Sequence, residues 1–223
     1  VNQQEHAMKR ILASATCIVT LAFSAGAAAV APPNITDEEM KLIPPYCPDT
    51  NTFGYGGAQY NQSPNAPKWV SIMGPTFWAM HHYCWALIHL TRIQRPSTPE
   101  MVKRNTRLEA LGDLQFVLAH GERSSVVMPE VLTKVGEVQL ALGNVREAND
   151  AYAEARSLRR DYWPAYYQWA DYLRRSGQKN EARKLTEEGL SYAPGNKSLA
   201  LLLTALGGDP ASVKPREAAP PAN

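Results

Sequence analysis

The chain has 223 residues, 44% of them hydrophobic, with 23 lysines and arginines against 21 aspartates and glutamates. That suffices for one ordinary domain with a core and is too polar for a protein that crosses a membrane several times. The net charge of +2 comes from basic residues dispersed among acidic ones, so no basic stripe is present to replace the counterions of a nucleic acid, and no nucleic-acid partner is expected.

In chain order, Met8-Lys9-Arg10 is a short cationic stretch, Ile11 to Phe23 runs apolar, and small residues take over from Ser24 to Ala31. This is the pattern of a secretory signal peptide, expected over residues 1–31 with cleavage after Ala29. Val1 to Ala7 is polar and reads as an upstream extension, with Met8 as the start. The competing reading is an uncut anchor, since Ile11 to Ala31 is long enough to span a bilayer; membrane association is expected only in that case. An exported bacterial protein, periplasmic or secreted, is the expectation.

Of the three cysteines, Cys17 lies in the signal region, and Cys47 and Cys84 remain for the mature chain. Two cysteines in an oxidising compartment most simply form one disulfide. It would close a loop of 36 residues and stabilise the fold by about 3 to 4 kcal/mol. Residues 32–75 are rich in Pro, Gly and Asn and predict an irregular coil, apart from a brief acidic helix from Thr36 to Leu42. The aromatics Tyr46, Phe53, Tyr55 and Tyr60 spaced through it predict that the coil packs on the helices behind it.

After Gly74-Pro75 an apolar helix is predicted from about Thr76 to Gln94, ended by Pro96. A second, opened by Pro99, runs to about His120. From Pro129 the chain superimposes on itself at a period of 34 residues: Gly143 falls on Gly177, Glu147 on Glu181, Ala148 on Ala182 and Ala155 on Gly189. Large residues at 132, 135, 166 and 169 and small ones at 136, 148, 170 and 182 complete the pattern. It resembles the tetratricopeptide repeat family. The resemblance is specific over Pro129 to Pro194, with Thr186, Arg160 and Gln139 as departures. It implies an all-α, short right-handed helical solenoid: a divergent first pair over 76–120, two repeats with a capping helix (Ser198 to Leu206) over 129–208, and a solvated, disordered tail over 209–223. In that family the first helix of each repeat lines a concave surface. Lys134, Glu137, Gln168, Asp171, Tyr172 and Arg175 are therefore candidates for contact with a partner protein, against the alternative of an ordinary solvated helix face.

The sharpest chemical cluster is His81-His82-Tyr83-Cys84-Trp85 with His89. At helical spacing Trp78, His82, Trp85 and His89 share one face, and His81, Cys84 and Ile88 another. A metal- or haem-handling maturation factor would use His81, His82, Cys84 and His89, but no three of them share a face without help from the coil. The competing expectation is a disulfide-bonded cysteine flanked by packed histidines. A thiolate nucleophile at Cys84 is disfavoured where thiols are oxidised. No Ser-His-Asp set, glycine-rich phosphate loop or carboxylate pair is recognisable. The sequence therefore predicts a binding protein with no cofactor, a scaffold or accessory subunit of an envelope assembly, and not an enzyme.

Overall fold

The computed structural model describes residues 31–50 and 63–216. The signal-like segment up to Val30, the aromatics Phe53, Tyr55 and Tyr60, and residues 217–223 lie outside the described residues. Every regular element is helical, and no strand occurs among the described residues. Nor is any helix among them long and apolar enough to cross a membrane.

The first helix, α1 (Asp37–Met40), is closed by a capping box in which the Thr36 hydroxyl accepts from the Glu39 backbone and the Glu39 carboxylate accepts from the Thr36 N–H. That carboxylate also takes two hydrogen bonds from Arg92, at 2.6 and 3.0 Å. The guanidinium holds the Glu39 carboxyl down at about 2. α2 (Ala66–Met73) forms inside the stretch that composition predicts as coil. Ala66, Trp69, Val70 and Met73 make one apolar stripe on the core, and Pro67 sits in the first turn, where its missing N–H costs nothing. The carboxylate of Asp49 accepts from Ser63 at 2.5 Å, Asn65 at 3.3 Å and the Trp69 indole at 2.7 Å. Burial would raise the Asp49 pKa, but these donors outweigh it and hold the group below the usual carboxylate range.

The helix predicted from Thr76 begins as a 3₁₀ turn over Gly74–Ala79 and becomes α3 at Met80–Arg92. It is followed by α4 (Glu100–His120), α5 (Met128–Leu142), α6 (Val145–Leu158), α7 (Trp163–Arg175), α8 (Lys179–Tyr192) and α9 (Lys197–Ala205). From α3 to α9 each helix packs on the next in sequence; α5 also touches α7, and α7 touches α9. The turns after α5 and α7 repeat 34 residues apart. Gly143 and Gly177 take φ of 87° and 84°. In the first turn the N–H groups of Asn144 and Gly143 donate to Gln139 and Leu140; in the second those of Gln178 and Gly177 donate to Leu173 and Arg174. This is the Schellman closure of a helix, and it places a glycine where a left-handed residue is required.

Gly136 lets α5 and α6 approach. A Cβ there would stand 2.7 Å from the ring of Tyr152, which is fully buried. Gly136→Ala is therefore expected to destabilise by about 1 to 3 kcal/mol through overpacking, read as a lower midpoint in urea unfolding; an unchanged midpoint would mean that the ring moves aside freely. The main core runs from Tyr46 and Cys47 through α3, α4, α5, α6 and α7, and a second cluster of Tyr166, Leu190, Leu199 and Leu203 closes the C-terminal end. Val213 packs on that second cluster, and the Arg216 N–H donates to the Ser191 carbonyl at 2.8 Å. Residues 210–216 thus follow a defined path along α8 where composition predicts solvated tail, because Val213 packs on the second cluster and the Arg216 backbone bonds to α8.

Candidate functional site

The predicted partner-contact residues fall on α5 and α7. Lys134 and Glu137 are half-buried and joined at 2.5 Å. They border a cleft of about 310 Å³ between the C-terminal halves of α3 and α5. Leu87 and Leu90 of α3, Ile93 just after it and Val138 of α5 form its apolar wall, and Arg107 reaches it from α4. On α7, Asp171 accepts from Arg174 at 2.7 Å and pairs with Arg175 at 2.9 Å. Tyr172 stacks on Trp169 with ring centres 5.0 Å apart, and Gln168 is half-buried on the same helix. Burial raises the Tyr152 phenol above its ordinary value, with the Glu137 charge reinforcing the shift and the Arg175 charge opposing it.

Around the start of α5 the aromatic coil enters. Tyr46 is buried beside Trp69, ring centres 5.9 Å apart, and the Tyr83 hydroxyl donates to Glu130 at 2.6 Å. Burial, reinforced by the Glu130 charge, pushes the phenols of Tyr46, Tyr83 and Tyr162 above their ordinary value. They stay neutral; the Tyr83 hydroxyl has Glu130 as its acceptor, whereas the buried Tyr46 hydroxyl has no hydrogen-bond partner among the described residues.

The histidine cluster is differently built. Cys47 and Cys84 are paired as a disulfide, both fully buried, with Cα atoms 5.8 Å apart, so the Cys84 sulfur is not a free ligand or nucleophile. His82 Nδ1 lies 2.7 Å from Asp113 Oδ1, with both side chains buried. A carboxylate accepts, so Nδ1 carries the hydrogen. The His82 ring packs on Phe116, which stacks on His120. His81 donates from Nδ1 to the Trp78 carbonyl at 2.9 Å, and its ring centre is 4.4 Å from that of His82. His89 stands further along α3 with no place in this cluster. Among the described residues no group of three or more His, Cys, Asp or Glu side chains is placed to hold a metal.

Comparison with protein-family models, curated proteins and solved structures finds no match.

Sequence reasoning missed Asp113, Glu130 and Arg107. The first had a signal: Asp113 lies on the stripe Ala110, Leu114, Val117 that α4 buries, and a carboxylate on an apolar stripe calls for a partner. For Glu130 and Arg107 no pattern along the chain marks the role.

One titration follows from this geometry. Burial, with His82 alongside, lowers the His81 pKa from 6.5 to about 4. Between those values the unfolded chain binds the proton and the folded one does not, so stability is complete above pH 6.5 and falls as the pH drops toward 4. The loss is expected to be about 1 to 2 kcal/mol after solvent screening of a part-exposed ring. Urea midpoints across that window should fall in the wild type and flatten in His81→Gln; parallel slopes would contradict the assignment.

Proposed function

We propose that this protein is an exported scaffold or accessory subunit, built as a short right-handed solenoid of the tetratricopeptide type, which holds a segment of a partner protein and performs no chemistry of its own. The observation that carries the reading is the cleft between α3 and α5, on whose rim Lys134 and Glu137 stand. At about 310 Å³ it accepts one or two side chains of a docked segment, with Leu87, Leu90 and Val138 as the apolar floor. Arg107 has no carboxylate within 4.0 Å among the described residues, so the complementary segment carries an apolar anchor followed by an acidic residue. α7, which carries Gln168, Asp171, Tyr172 and Arg175, packs beside α5.

The solenoid arrangement is supported by the helix closures repeated 34 residues apart and by the contacts of α5 with α7 and of α7 with α9. Export to the periplasm of a bacterium is supported by the buried disulfide, a bond that oxidising compartments maintain.

Selection of a random peptide library on the purified full chain tests the cleft. Selected peptides should carry the apolar and acidic pair, and should lose binding to Leu90→Asp and Arg107→Glu while keeping it for Arg146→Glu on α6. Equal binding to all these variants would remove the cleft as the site.

A further inference from the structure

α4 carries an apolar stripe on its outer side that the fold leaves open. The helix runs 21 residues, against 14 for α6 and 14 for α8, which follow it as the second helices of the next two pairs. Those two turn charged groups outward, Arg146, Glu147 and Asp150 on α6 and Lys179, Arg183 and Lys184 on α8. Val145, in the first turn of α6, is the only large apolar residue exposed on either. On α4, in contrast, Met101 is 74% exposed, Val102 48% and Leu108 47%.

At about 100° per residue, Met101, Asn105, Leu108 and Gly112 lie along one line of the helix, and all four are exposed. They recur at spacings of four, three and four. This is the seam of a two-helix coiled coil, with Met101 and Leu108 at the d positions and Asn105 at an a position. Arg104 flanks the seam on one side, at g, and Glu109 on the other, at e. Standing about 140° apart around the helix, they cannot reach each other. Neither has an oppositely charged group within 4.0 Å among the described residues. Gly112 fits the same seam: a Cβ there would meet nothing within 4 Å, so no packing inside the chain calls for a glycine in the middle of this helix.

We propose that α4 is a self-association surface, through which two copies of this chain pair in parallel and in register along the line from Met101 to Gly112. The flanking charges select the occupant. In parallel pairing each Arg104 meets Glu109 of the second copy, five residues further on, and symmetry makes the exchange twice. An antiparallel pairing brings like flanks together and leaves both charges alone. Asn105 meets Asn105 of the second copy across the axis, and a polar residue at a single a position penalises shifted registers. Leu108 covers its counterpart, and the bare backbone of Gly112 lets the two helices approach. None of these residues borders the cleft between α3 and α5, so the pairing of copies and the docking of a partner segment use separate surfaces.

One helix face supports only weak association, so the test is sedimentation equilibrium of the full chain at concentrations up to about 500 µM. The wild type is expected to show a monomer–dimer equilibrium. Arg104→Glu and Glu109→Arg, each alone, are expected to dimerise about tenfold more weakly, because two attractions become two repulsions. A one-to-one mixture of these two variants restores every charge pair between unlike chains and is expected to associate as the wild type does. Arg146→Glu on α6 should dimerise unchanged. Circular dichroism confirms that each variant is folded. A monomer at every concentration, equal association by all the variants, or a mixture no stronger than its components overturns the proposal.

Discussion

Asp113→Ala is expected to destabilise the protein by about 1 to 3 kcal/mol, the cost of leaving a buried donor without an acceptor. The carboxylate is 2% exposed and its one hydrogen-bond partner is His82, itself 7% exposed. Truncation leaves the imidazole N–H in an apolar enclosure of Phe116, Trp85 and His81 with no acceptor. Replacing both partners by apolar groups of similar size, as in His82→Phe with Asp113→Leu, should restore most of the loss, since the cost lies in the orphaned group and not in the missing pair. Denaturant unfolding of the two single variants and the double variant forms the cycle. Strict additivity would show that the pair contributes nothing as a pair.

Removing the disulfide, by Cys47→Ala with Cys84→Ala, is expected to cost about 4 kcal/mol. The argument is the 36-residue loop that the bond closes in the unfolded chain. Both sulfurs are fully buried, so small cavities add to the loss. The bond joins the turn at Cys47–Asp49 to α3, while the hydrogen bonds of Asp49 and of Arg92 hold the same region by other means. The variant is therefore expected to keep its fold with a lower urea midpoint. A loss under about 1 kcal/mol would show that the unfolded chain is already restrained without the bond.

How much of this is legible in the chain depends on whether the signal is periodic. α5 to α8 are readable because large and small residues recur at helical spacing and glycines recur where each turn needs a left-handed residue; the boundaries at Gly143 and Gly177 follow from that alone. α2 was hidden: its stripe of Ala66, Trp69, Val70 and Met73 is only two turns long and lies between Pro64 and Gly74-Pro75, which read as coil. The path of residues 210–216 could not be read either, since it depends on one apolar side chain, Val213, packing on a cluster that only the fold assembles.

The site divides in the same way. Lys134 and Glu137 were singled out because the repeat pattern fixes their place on the helix, and the structure sets them beside the cleft between α3 and α5. Arg107 could not be reached, as its place there depends on how the preceding helix pair packs on α5. The pairing of Cys47 with Cys84 needed only a count of cysteines. The partner of Tyr83, in contrast, is 47 residues away along the chain, and only folding brings Glu130 to it. Arg160, a departure from the repeat pattern, lies 5.7 Å from the centre of the Tyr192 ring.

The central claim is that the cleft between α3 and α5 holds another protein. Site-specific photocrosslinking in cells producing the full chain tests it most directly, with the probe placed in turn at Thr91 and Glu137 in the cleft and at Glu147 on α6. The account predicts one discrete adduct, with the same partner, from both cleft positions and none from position 147. No adduct from the cleft, or the same adducts from all three positions, would contradict it.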